Sequence, residues 1–387
     1  MSASPESARA GRGDAARAGV TRRRFLALSA SAFVSSLAAA WLPGCSSSSL
    51  SSGGGGETHV VTDSVGREVE FPSEPERIAG LDSFAGELIV MCGAGPRLVA
   101  APAGVASDEL LRELYPGLED VPAPMTSGTV NMEELMACDP DAVLVKQDVY
   151  ETAGQRELLD AMGTPYAVVG FASMDEQIEA MELVGSVCGG DAEENVGRLV
   201  EYYRGVVEEC EERARGLSEG DKARVYHSIN ALVATDGAQS LGQDWITRVG
   251  AVDVSAEDAS EAPGSDYEAT LEQILAWDPD VFVCNSADTT EYLLTEDSCA
   301  GLTAVKEGRC HTIPVGATRW GQAGSVETYL AMLWLGCTVY PKLYEDVDLE
   351  ERVTSYYADY LGVDVDHELY EQMLSGEGLR QQSAQAG

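Results

Sequence analysis

Apolar and polar positions alternate through residues 58–72 (THVVTDSVGREVEFP), with a break at Asp63–Gly66, and this period of two predicts a β-hairpin closed by Pro72 and Pro75. Downstream the pattern switches repeatedly between strand and helix spacing. ERIAGL (76–81) reads as a strand, FAGELIVMCGAG (84–95) as a short helix stopped by glycine, and RLVAAP (97–102) as the next strand. DELLREL (108–114) is helical, PAPMTSGTV (122–130) is a loop, and TPYAVVGF (164–171) is a strand. Strands alternating with short helices predict an α/β lobe with a largely parallel sheet.

The alternation then stops. SMDEQIEAMELVGSVCGG opens on Ser173 with Glu176 three residues on, a capping box. After Gly189-Gly190 a second helix runs over 191–217, with Val196, Leu199, Val200, Tyr203, Val207, Cys210, Ala214 and Leu217 as one apolar stripe. About 27 residues at 1.5 Å each span roughly 40 Å, long enough to cross two lobes. The strand–helix pattern returns in ARVYHSI (223–229), SLGQDWITRVGAV (240–252) and CHTIPVG (310–316). It is followed by an apolar helix within 325–344 and amphipathic helices over 349–362 and 366–376. The chain therefore divides into a first lobe (57–172), a helical connector (173–220), a second lobe (221–376) and a tail (377–387) that reads as disordered.

One stretch occurs twice. NMEELMACDPDAVLVKQ (131–147) and TLEQILAWDPDVFVCNS (270–286) align without gaps. Each copy has an N-cap residue with a capping-box partner, Asn131 with Glu134 and Thr270 with Gln273. The Asp-Pro step ends each helix at Asp139 and Asp278. Glu133 and Glu272 are not required by the box. Each gains only the favourable end of a helix dipole, about 0.3–1 kcal/mol. They read either as dipole-friendly surface residues or as one carboxylate per lobe offered to arginines on a partner.

The N-terminus changes the picture of location. Thr21-Arg22-Arg23-Arg24-Phe25-Leu26 resembles the twin-arginine export motif, and the apolar run Phe25–Leu42 ends in Leu42-Pro43-Gly44-Cys45, which resembles a lipobox. Residues 1–44 then act as a signal peptide, Cys45 carries the lipid, and 46–56 form a Ser/Gly tether on the outer face of the membrane. The alternative is an N-terminal anchor that stays uncleaved. Net charge is −40, and loss of residues 1–44 leaves 19 basic against 63 acidic side chains. Such a surface repels nucleic acid and anionic headgroups. The eight cysteines after Cys45 show no CxxC spacing. Cys92, Cys138, Cys284 and Cys337 sit in apolar patterns as core residues, whereas Cys299 and Cys310 are placed so that a disulfide is open to them.

On both repeats, and on the flanking VTDSVGREVEFPSEPERIAGL and LWLGCTVYPKLYEDVDLEERVTSYYADYLG, the chain resembles the substrate-binding proteins of ABC importers for iron–siderophore complexes, haem and vitamin B12. The resemblance implies two Rossmann-like α/β lobes joined by a rigid helical connector, with the ligand in the cleft between them. It implies an ABC permease and its ATPase as partners of a monomer. It also implies that Glu133 and Glu272 meet arginine pockets on the permease.

Ligand-site candidates follow from the rule that open α/β sheets bind at loops after strands. The loop after the first repeat offers Gln147, Asp148 and Tyr150, and the first strand of the second lobe offers Tyr226 and His227. Trp245 stands at the rim, and GATRWGQAGS (316–325) offers Arg319 and Trp320. Arginine suits a carboxylate, phosphate or anionic iron complex, while Tyr and His suit iron or haem. Tyr150 reads equally as a surface residue, and His227 and Trp245 as core. Four histidines without paired spacing disfavour a bare metal site. No GxSxG, HExxH, P-loop or GxGxxG is present, so no catalytic residue and no resident cofactor is expected. The leading expectation is a receptor for an iron complex or corrinoid, whose cargo itself contains iron or cobalt. An oxyanion receptor (molybdate or tungstate) and an exported hydrolytic or chelatase-like enzyme are the alternatives.

Overall fold

The computed structural model describes residues 57–126, 128–256 and 267–376. The signal segment 1–44, Cys45, the tether and the tail after Gly376 lie outside them. The expected hairpin pairs Thr58–Thr62 with Glu68–Pro72. Its turn is held by Asp63, which accepts from the N–H groups of Val65 and Arg67 and pairs with Arg67 Nη2 at 2.7 Å.

The first lobe contains a four-stranded parallel sheet in the spatial order Leu98–Ala100, Ile78–Gly80, Ala142–Lys146, Tyr166–Val169. The second lobe is built on a six-stranded sheet. Arg224–Ser228, Val281–Cys284 and Cys310–Thr312 run parallel in its centre, and Val252–Asp253 also pairs parallel with the first of these. Ala234–Thr235 and Tyr267–Glu268 form its antiparallel edge.

Central parallel strands need cover on both faces, and the two repeat strands show how they obtain it. Ala142 and Leu144 point into a large core shared with the connector helices, while Val143 and Val145 enter a satellite cluster with Leu135 and Tyr166. In the second copy Val281 and Val283 join the large core, and Phe282 and Cys284 join a satellite with Ile274 and Tyr226. The period-two alternation therefore sorts equivalent residues of the two repeats to equivalent faces.

The connector consists of Met174–Cys188 and Asp191–Ala214, packed along each other. The junction requires glycine: Gly189 and Gly190 have φ of 63° and 58°, and a β-carbon at Gly189 would lie 2.0 Å from the Ser73 carbonyl oxygen. The 24-residue helix, about 36 Å long, buries the predicted stripe from Val196 to Cys210, together with Val206. It packs on Val90–Ala94 of the first lobe and on Leu241–Arg248 and Thr328–Val339 of the second, so it bridges both lobes.

Several expectations are corrected. The helix expected over 84–95 is α-helical only through Ile89 and continues as a π-helical turn over Val90–Ala94. The long helix ends at Ala214 rather than 217. Residues 122–130 hold a two-residue hairpin, Met125–Thr126 with Thr129–Val130. The loop expected to present Tyr150 is a helix, Gln147–Glu151. Helix 349–362 changes at Tyr357 into a π-helical turn. Cys92, Cys138 and Cys284 are buried as expected, Cys337 is only half-buried, and Cys299 and Cys310 are free thiols. Among the described residues no helix is long and apolar enough to cross a membrane.

Candidate functional site

Each repeat helix is placed by the same device. Met132–Ala137 and Leu271–Trp277 end where Asp139 and Asp278 take left-handed φ of 46° and 42°. The second aspartate of each Asp-Pro-Asp then caps the neighbouring strand: Asp141 accepts from the N–H groups of Glu76 and Arg77, and Asp280 from that of Arg224. Arg77 returns its guanidinium to the Cys138 and Asp139 carbonyls, and Arg224 to that of Trp277. The motif is thus a brace between helix end and strand start. The N-caps are less alike. Thr270 and Gln273 form a full capping box, whereas Asn131 accepts from Glu133 and Glu134 N–H without the reciprocal bond from Glu134. Glu176 likewise reaches back past Ser173 to the N–H of Ala172. Glu133 and Glu272 stand exposed in the first turns, and neither carboxylate meets a hydrogen-bond or ion-pair partner among the described residues.

The candidate ligand side is taken as the C-terminal ends of the strands together with the loop Gly316–Glu327. In the first lobe the strand ends lead to Asp82-Ser83, Lys146 and Phe171. Asp82 caps the helix Ser83–Ile89 by accepting from Ala85 N–H; burial pushes its carboxyl up to about 6, against the pull of nearby Lys146. The loop of the second lobe approaches this helix start, since a β-carbon at Gly324 would lie 3.6 Å from Ser83 Cβ. Arg319 lies half-buried in that loop and donates from Nη1 to Gln322 Oε1 at 3.0 Å.

The loop is held from beneath by a fully buried carboxylate. Glu327 Oε2 accepts from Thr318 N–H at 2.8 Å and from Thr318 Oγ1 at 3.1 Å, and Oε1 accepts from Tyr357 OH. Tyr357 OH in turn accepts from Ala317 N–H. Burial raises the Glu327 carboxyl to about 7, although these hydrogen bonds oppose the rise. At the other end of the loop the buried Gln177 of the connector donates to the Ser325 carbonyl and accepts from Tyr203 OH. Connector and loop are therefore joined directly.

The remaining sequence candidates are engaged in the fold. The Tyr150 ring is within cation–π range of the Arg67 and Arg156 guanidinium carbons, at 4.8 and 4.7 Å from its centroid. His227 is buried, with Nδ1 2.7 Å from Asp236 Oδ2 and Nε2 2.9 Å from Asn285 Oδ1. Burial opposes charging this ring, but Asp236 outweighs it with help from Asn285 and Asp253, and the pKa is raised. Trp245 packs edge-on against His227 at 5.7 Å and is fully buried, as is Trp320. The structure thus brings His227 and Trp245 together under the loop that carries Arg319, and places Tyr150 in the other lobe. Asp82, Lys146, Phe171, Glu327 and Gln177, which stand at or under this candidate site, carry no mark in the sequence that singles them out together. For Asp82-Ser83 the signal was available: a cap residue directly after a predicted strand. Among the described residues no group of three or more His, Cys, Asp or Glu side chains converges as metal ligands would.

Comparison with known proteins identifies the fold and the family. The molybdate-binding protein MolA of Haemophilus influenzae is 24% identical over 329 residues, covering 78% of this chain and 90% of that protein. Its molybdate-bound structure superposes with a TM-score of 0.70 at 21% identity, over 80% of this chain and 99% of that one. A periplasmic solute-binding protein of Veillonella parvula gives 0.69 at 23% identity, over 82% and 97%. CeuE of Helicobacter pylori with Ni(II) bound gives 0.66 at 18%, over 81% and 99%. Identities this low speak for the fold alone. The periplasmic binding protein family, however, matches residues 78–315, more than half of the chain. The chain belongs to the periplasmic binding protein family, the substrate-binding components of ABC importers.

Proposed function

We propose that this chain is a lipid-anchored receptor, tethered through Cys45 after export, that hands an anionic small molecule to an ABC permease docking on Glu133 and Glu272. The observation that carries the ligand reading is the distribution of charge at the facing strand ends. Lys146 of the first lobe, ion-paired with Asp148, and Arg319 of the second, bonded to Gln322, bring cationic groups to this side, while the imidazole and indole candidates are buried in the fold. A planar guanidinium recognises an oxyanion in bidentate fashion. The molybdate named for MolA makes a molybdate-class oxyanion the first ligand to test.

A second reading keeps the iron complex or corrinoid. Phe171, half-buried beyond the strand Tyr166–Val169 and 4.8 Å from the Phe84 ring, offers an apolar surface for an organic ligand. The test is titration of protein lacking residues 1–45 with molybdate, tungstate, sulfate, haem, cobalamin and ferric siderophores. Binding is followed by calorimetry and by tryptophan fluorescence, since a β-carbon at Gly321 of the loop would lie 3.1 Å from the Trp245 ring. Saturable molybdate binding, weakened about 10–100-fold in Arg319→Gln, is the expected result. Binding of haem or cobalamin but of no oxyanion would replace the first reading by the second.

A further inference from the structure

The repeat helices carry more than a glutamate each. Of the eight large apolar side chains exposed among the described residues, two occupy the same repeat position: Met136, 45% exposed, and Leu275, 39% exposed. Each lies three residues after its glutamate, so Glu133 with Met136, and Glu272 with Leu275, share one outward helix face. The intervening Leu135 and Ile274 are buried against their sheets, which fixes the rotation of both helices. The Asp-Pro-Asp braces fix the helix ends in the same way in both lobes. An unpaired carboxylate beside an exposed apolar knob therefore occurs twice, in the same local frame.

We propose that Met136 and Leu275 are docking residues: each enters an apolar socket on the permease, beside the basic groups that take Glu133 or Glu272. This rests on the permease-docking reading above and adds to it the chemistry of the partner surface. One chain offering the same patch twice fits a partner that presents the same pocket twice, an apolar socket rimmed by arginine or lysine on each half of a two-fold membrane protein. The carboxylate supplies steering and orientation, and burial of the knob supplies affinity that salt does not screen. Methionine suits this role because its thioether adapts to an imperfect socket.

The two contributions separate by salt dependence. The full-length lipoprotein is bound to its cognate permease–ATPase complex in nanodiscs at low and high salt, with Met136→Ser/Leu275→Ser and Glu133→Gln/Glu272→Gln as double variants. The apolar variant should bind about tenfold more weakly at every salt concentration with an unchanged salt slope. The glutamate variant should lose the slope. Ligand affinity should match wild type in both, while melting falls only slightly: Gln gives up the carboxylate's favourable place at the helix N-terminus, and Ser loses the covered part of Met136 and Leu275. Wild-type affinity in Met136→Ser/Leu275→Ser would overturn the inference while leaving the glutamate reading in place. Failure of the wild-type protein to bind the permease would overturn both.

Discussion

Glu327→Gln should flatten part of the pH dependence of stability. The carboxyl moves from an ordinary 4.5 to about 7 on folding because it is buried. At 1.36 kcal/mol per tenfold step in acidity, this corresponds to about 3 kcal/mol. A raised folded-state pKa means that the native state binds more protons than the unfolded chain between these values. The contribution is therefore fully present below pH 4.5 and lost as pH rises through about 7. Asp82, raised to about 6, Asp253, raised to about 7, and His227 act in the same direction, so the wild-type curve alone does not isolate Glu327. The difference between wild type and variant does. Gln keeps the shape and one acceptor for Thr318 but carries no charge. Denaturant unfolding at intervals from pH 5 to 8 should show Glu327→Gln gaining on wild type by about 2–3 kcal/mol across the range, a large share of a typical stability. Parallel curves would refute the argument, and so would a wild type that becomes relatively more stable as pH rises.

Two further tests address the scaffold. Gly197 and Gly205 are exposed within the long helix, and a β-carbon at either would meet nothing within 4 Å. Alanine at each should add about 0.5–1 kcal/mol. Gly189→Ala, with positive φ and a clash on Ser73, should remove about 2 kcal/mol or more, and thermal melts resolve both signs. Asp141→Ala removes an acceptor of two backbone N–H groups, whereas Asp280→Ala removes an acceptor of one. Equilibrium unfolding should give a loss of about 1–2 kcal/mol for the first and about half that for the second.

Legibility in the sequence followed the range of the interactions. The hairpin, the alternating strands and the connector stripe depend on local period and local caps, and each was readable. The Asp-Pro steps announced where helices stop. They did not announce that Asp141 would hold Arg77, because that bond joins residues 64 apart. Short helices such as Gln147–Glu151 escaped because Lys146 at the N-cap makes no capping bond, leaving nothing in the sequence to mark the start. The candidate site was legible only as a loop. Arg319 could be picked from glycine-rich surroundings, but whether His227 faced a ligand or Asp236 depended on burial that a single sequence does not display. Glu327 falls at the head of the apolar helix within 325–344, where nothing local marks it. Its role under the loop appears only when Thr318 and Tyr357 are brought to it.

The paired braces also bear on how the chain folds. Arg77–Asp141 closes a loop of 64 residues in the first lobe, and Arg224–Asp280 one of 56 in the second. The closure entropies of two loops so similar in length differ by only about 0.1 kcal/mol. Neither lobe therefore gains an appreciable kinetic lead over the other from the length of the loop its brace closes.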